Sequence, residues 1–287
     1  MKLKNLIANT ALGLALMLQA NASAEKIPSY SPNVHTVKNF LATAMQPVGK
    51  TLYIWGGGWN EEDTAAGESS KHIGVWPEWE KFFNSQDSDY NFCDYAITND
   101  GEAEAPIPEY ISLGLDCSGY RGWVLSNVFQ DKDKDEFGYV FPHAKRVSNF
   151  VDNNWGTAIE SKDIKDFKPG DIMDKPGHTY IVIGRCDDGS IVFVHSSPPG
   201  VHICGTATPD GNEKSDAVSL SKKYMEKYYA EYDKKFSKYG YMRGTKYLTE
   251  YKQLRWNVND GDMKDPEGYT EMTPEEVLKD LFGENKN

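Results

Sequence analysis

Three short segments carry residue types suited to thiol chemistry: Asp116-Cys117-Ser118-Gly119, Gly177-His178 opening an apolar run, and Val194-His195 closing another. A thiol is a useful nucleophile near neutral pH only when something withdraws its proton, and an imidazole within hydrogen-bond reach does so. A second polar group must then hold that imidazole in one tautomer. The set reads as a cysteine nucleophile, Cys117, with a two-histidine relay, His178 and His195.

The elements that must position these groups are legible around them. Tyr120, Trp123, Val124 and Val128 fall at i, i+3, i+4 and i+8, which places them on one face of a helix starting near Cys117, with Asp116 as its N-cap. Peptide dipoles and unpaired N–H groups at a helix start favour thiolate and lower a thiol pKa by about one to several units from 8.5. Gly119 is expected to let the sheet approach this helix closely. His178 begins a strand after Lys175-Pro176-Gly177, so its ring can face the end of a preceding helix, where a general base has to sit. Strands are predicted over 178–183, 190–195 and 201–204, with Asp187-Asp188-Gly189 as a hairpin turn. His195 then neighbours His178 across the sheet. His202 lies just beyond the following turn, in a poorer position, and His35, His72 and His143 have no catalytic context.

The remainder of the chain frames this core. At 287 residues, 39% apolar and 26% charged, it is long enough for one large domain or two small ones and is not compositionally disordered. Residues 1–24 combine Lys2 and Lys4, an apolar run over 11–18 and Ala22-Ser23-Ala24, the pattern of a secretory signal peptide. The apolar run is shorter than the roughly 20 residues that span a bilayer, so no membrane attachment is expected after cleavage. Losing Lys2 and Lys4 takes the net charge from −12 to −14, which makes nucleic acid and anionic membranes poor partners. Of Cys93, Cys186 and Cys204, the last two flank consecutive predicted strands and are the favoured disulfide pair; the alternative is three small buried side chains.

A helix is predicted through Val34, Val37, Phe40, Leu41, Ala44 and Met45, leading to the Gly56-Gly57-Gly58 turn. Residues from about 60 to 113 form an insertion with an apolar face of Trp76, Trp79, Phe82 and Phe83. Lys168-Pro169-Gly170-Asp171 turns into a short strand; a solvated helix is expected over 217–236, a further strand over 253–258, and a capped helix from Thr273. No repeat or linker divides residues 25–287, which are expected to form a single domain. Asp131, Asp133 and Asp135 alternate as in a calcium loop, but Glu136 stands where its glycine belongs. The triple glycine lacks the features of a nucleotide loop, and no close ligand pair signals zinc, so no metal or cofactor is expected.

Taken in order, Tyr53-Ile54-Trp55-Gly56-Gly57, Asp116-Cys117-Ser118-Gly119, Pro169-Gly170-Asp171, Gly177-His178 with Ile181-Val182-Ile183-Gly184, and His195-Ser196-Ser197 leading to Gly200-Val201 resemble the NlpC-type family of papain-like peptidoglycan cysteine peptidases. The resemblance covers about residues 35 to 205. It implies an α+β, papain-like fold in which the nucleophile-bearing helix packs on an antiparallel sheet. It implies a secreted or periplasmic cell-envelope hydrolase that cleaves the γ-D-glutamyl-diamino acid amide of peptidoglycan stem peptides or muropeptides. Cys117 would be nucleophile, His178 base and then acid, His195 its orienting group, and Tyr53 a donor to the oxyanion beside the Cys117 N–H. Asp116 and Ser118 match positions that hold the free amine of the stem peptide. An N-acetylmuramoyl-L-alanine amidase and a non-catalytic wall-binding protein on the same scaffold are the alternatives. About sixty residues separate the glycine turn from Asp116, and a C-terminal extension runs over about 206–287; both depart from the compact family pattern.

Overall fold

A computed structural model describes residues 28–58, 74–129 and 146–284. Residues 1–24, read above as a signal peptide, together with His72, His143 and the Asp131, Asp133, Asp135 alternation lie outside the described residues. In chain order come α1 (Val37–Met45), α2 (Pro77–Ser85), the hairpin β1 (Ala96–Asn99) and β2 (Glu102–Pro106), α3 (Cys117–Phe129), α4 (Arg146–Asp152) and β3 (Gly156–Ile159). The meander β4 (Ile172–Lys175), β5 (His178–Arg185), β6 (Ile191–Ser197) and β7 (Gly200–Thr206) follows. The extension adds α5 (Asp216–Tyr228), α6 (Ala230–Phe236), β8 (Met242–Arg243), α7 (Lys246–Thr249), β9 (Lys252–Trp256) and α8 (Pro274–Leu281).

The strands join into one seven-stranded sheet in the order β3-β9-β4-β5-β6-β7-β8. Every neighbouring pair is antiparallel except β7 with β8. This is an α+β fold. Alternation along the central strands sends Ile181, Ile183, Val194 and Ile203 into a core shared with the helices, while Tyr180, Val182, Phe193 and Cys204 join a second cluster with Met173 and Tyr251. Both faces are therefore covered, which explains why these strands read as continuous apolar runs.

Local chemistry fixes the element ends. Thr36 caps α1 by accepting from the Asn39 N–H, and Thr273 and Glu276 form a reciprocal capping box on α8. Asp171 of the Pro169-Gly170-Asp171 segment is a structural hub: it accepts from Lys168 N, Gln253 Nε2 and Arg255 Nε and Nη2, tying the start of β4 to β9. Such a buried, multiply bonded ion pair is costly to break, by about 3–5 kcal/mol.

Three expectations change on contact with the structure. α3 is buried on nearly its whole circumference rather than on one face, because the insertion closes its outer side. There Trp79 packs edge-on against Trp123 with centroids 5.8 Å apart and donates to the Ser112 carbonyl. The solvated helix over 217–236 is instead two helices meeting at Tyr229, and Ala217, Ser221, Tyr224 and Met225 are buried. Gly205 permits this: a Cβ there would lie 2.3 Å from the Ala217 carbonyl carbon. Finally, the four cysteines are free thiols. Cys186 follows β5 and Cys204 lies in β7, with β6 between them, so two interstrand spacings of about 5 Å put the pair beyond disulfide reach.

Candidate functional site

The start of α3 is clamped by backbone before any side chain is considered. Asp116 N–H donates to the Gly57 carbonyl at 2.7 Å and Leu115 N–H to the Leu52 carbonyl at 3.1 Å. Asp116 Oδ1 accepts from the Gly119 N–H at 2.7 Å and from Ser118 Oγ at 2.9 Å, which makes it the N-cap that the sequence suggests. Gly119 does permit a close approach, but of the glycine turn rather than the sheet: a Cβ there would sit 2.2 Å from the Gly57 carbonyl oxygen. The glycine-rich turn and the start of α3 are thus packed backbone to backbone.

Cys117 occupies the first turn of α3 and is 9% exposed. Its Sγ lies 3.8 Å from the Gly177 carbonyl oxygen and receives the Thr179 N–H, so the sulfur rests on the backbone flanking His178. The thiol pKa is nevertheless pushed up to about 12, first by burial and then by the Asp116 charge, against smaller opposing pulls from the Thr179 N–H, Arg146 and the Ser118 N–H. The helix-start effect expected from sequence is outweighed, because desolvation of a thiolate in a closed site exceeds what one helix terminus returns.

His178 is the first residue of β5, and its Nε2 lies 2.9 Å from Nδ1 of His195 in β6. Burial, helped by the charges of Arg243, Lys175 and Arg146, lowers the His178 pKa to about 3. His195 is fully buried and held well below the usual histidine range by burial and by its neighbours His202, Arg243 and His178. The resting site therefore combines a protonated thiol with neutral imidazoles.

Tyr53 is buried and edge-on to Phe92, and its N–H donates to the Pro199 carbonyl. Burial and the nearby Asp116 and Cys117 charges raise its phenol, which keeps it a hydrogen-bond donor. Ser118 is partly exposed and bonded to Asp116.

Several neighbours escaped the sequence reading. The extension brings Tyr247 and Tyr251 to 5.7 and 6.3 Å from the His178 ring, between centroids. His202, set aside as poorly placed, is the direct cross-strand partner of His195, with ring centroids 4.9 Å apart. His202 Nδ1 is 2.8 Å from the Gly200 carbonyl and 3.2 Å from the Tyr232 hydroxyl, and Arg243 Nη2 reaches His202 Nε2 at 3.0 Å. In β4, Asp174 lies 3.1 Å from Arg146 Nε and 3.7 Å from Arg121 Nη1. Only the tyrosine-rich composition after residue 224 hinted at such a wall. His35 packs on Phe129, away from these groups.

Donor atoms of His195, His202 and Cys204 come within 4.8 Å of one another, a grouping of the type that can hold a soft metal ion. Both His202 nitrogens are already engaged, one of them by a guanidinium, and a fixed positive charge opposes a cation there. The buried, hydrogen-bonded His/Cys group is instead compatible with a catalytic site. No family model, curated protein or solved structure matches this chain.

Proposed function

We propose that the chain is a cell-envelope cysteine endopeptidase of the NlpC type, cleaving the γ-D-glutamyl-diamino acid amide of peptidoglycan stem peptides through an acyl-enzyme. The observation that carries this is the seating of Cys117, at a helix start, on the Gly177 and Thr179 backbone that brackets His178, whose far nitrogen meets His195 at 2.9 Å. With His178 Nε2–H donating to His195 Nδ1, His178 Nδ1 is the nitrogen that takes the thiol proton as sulfur attacks the amide carbon. The neutral resting pair makes this transfer concerted with attack rather than a preformed ion pair. The Cys117 N–H and the Tyr53 hydroxyl donate to the oxyanion. Collapse breaks the C–N bond, His178 returns its proton to the departing amine, and water activated by His178 hydrolyses the thioester. Asp116 keeps α3 capped while its charge, with Ser118, attracts the stem-peptide amine.

Mass spectrometry of muropeptide digests tests this reading. Wild-type protein should release fragments with a new amine on the diamino acid and an intact muramoyl-L-alanine bond, and Cys117→Ala should release none. Activity retained in Cys117→Ala sinks the proposal; a sugar fragment stripped of peptide would indicate the amidase instead. The burial of Cys117 and its elevated pKa favour one second reading, a non-catalytic wall-binding protein on this scaffold. Muropeptide binding without any product would support it.

A further inference from the structure

Arg243 is a partly buried guanidinium whose hydrogen bonds go to the Met242 carbonyl, His202 Nε2 and the Tyr247 side chain, and among the described residues it has no carboxylate partner. A guanidinium only donates, so His202 Nε2 must accept. The His202 proton is therefore on Nδ1, where the Gly200 carbonyl receives it at 2.8 Å. His202 is in turn the cross-strand neighbour of His195, which meets His178. The C-terminal extension thus places a permanent positive charge at the far end of a row of three imidazoles whose near end lies beside the Cys117 seat.

We propose that Arg243 is a positioning residue that fixes the proton arrangement of this row. It makes His202 a neutral Nδ1–H tautomer and disfavours a second proton on His195, so that the 2.9 Å contact between His178 and His195 joins two neutral imidazoles. The inference rests on the endopeptidase reading only for its consequence: a His178 that remains a free base in mild acid and, once protonated, gives its proton readily to the leaving amine. The groups facing the row are Cys204 from β7, Tyr232 from α6, Tyr241 beside β8, Tyr247 from α7, Tyr251 before β9, Lys175 from β4 and Arg146 from α4. All three cations among these groups and Arg243 oppose protonation of His178, while Arg243 alone hydrogen-bonds within the row. The same charge lowers the affinity of the His202 end for protons, in line with its pKa of about 3, caused first by burial and then by Arg243.

The test is nitrogen-15 NMR of histidine tautomers on the full chain from pH 4.5 to 8, for wild type, Arg243→Met and Arg243→Lys. Wild type should show His202 as the Nδ1–H tautomer, with neither His202 nor His195 titrating in that range. Arg243→Met should raise the titration midpoint of at least one of the two by about one unit or more, and Arg243→Lys should restore wild-type behaviour. A wild-type His202 in the Nε2–H form, or titrating near 6.5, overturns the proposal even if neither variant folds. Wild-type titration in folded Arg243→Met does the same. The acid limb of muropeptide hydrolysis should move upward by a similar interval in Arg243→Met. Absent hydrolysis with the NMR pattern intact would count against the endopeptidase reading and leave the tautomer assignment standing.

Discussion

Gly119→Ala separates two opposed effects at the start of α3. In an ordinary helix interior the change is stabilising by about 0.5–1 kcal/mol, through lower backbone entropy in the unfolded chain. Here the added Cβ would stand 2.2 Å from the Gly57 carbonyl oxygen and 2.7 Å from the Gly58 Cα, both backbone atoms that cannot rotate away. The turn must move by roughly 1 Å to restore ordinary contact. Overpacking of that kind costs about 1–3 kcal/mol. Moving the turn also strains the 2.7 Å bond from Asp116 N–H to the Gly57 carbonyl, and leaving that amide unpaired costs about 1–3 kcal/mol more. Net destabilisation of about 1–5 kcal/mol is expected after the helix-propensity gain is subtracted. Urea unfolding followed by far-ultraviolet circular dichroism measures it. A variant as stable as wild type, or more stable, would refute the claim that glycine at 119 is required by the turn.

Further perturbations probe the cap, the histidines and the insertion. Asp116→Ala should lose about 1 kcal/mol of stability while Asp116→Asn, which still accepts from the Gly119 N–H, should lose little, as read by urea unfolding. If both variants hydrolyse muropeptides as wild type does, the amine-holding role of Asp116 is wrong. His178 and His202 each have a pKa near 3 in the folded chain against about 6.5 unfolded, so below pH 6.5 the unfolded state binds protons that the native state does not. Stability should be complete above about pH 6.5 and fall by about 1.4 kcal/mol per pH unit per histidine down to about pH 3, with His202→Gln showing a shallower slope. Equal urea midpoints at pH 7 and pH 5 would contradict this. Trp79→Ala should cost about 3–5 kcal/mol in thermal or urea unfolding if the insertion is an integral wall of the core, and far less if it is a detachable flap.

Local pattern determined much of this protein. The apolar spacing after Cys117 marked a helix, Asp116 marked its cap, and the strand runs ending at Asp187-Asp188-Gly189 and at Gly200 marked the meander. Those signals are legible because helix periodicity, capping and hairpin turns depend on residues a few positions apart. The sequence also placed His178 and His195 on adjacent strands, and the register brings them together as expected. It could not place Arg243, Tyr247 or Tyr251 beside them, since β8 and β9 join opposite sides of the meander through pairings far apart in the chain. Nor did it foresee His202 as the partner of His195, because a one-residue change of register would turn that ring to the other face. The proton on Cys117 belongs wholly to the tertiary structure. A helix start favours thiolate through nearby dipoles, but the charge state is decided by how much water all the surrounding segments exclude, and here that exclusion prevails.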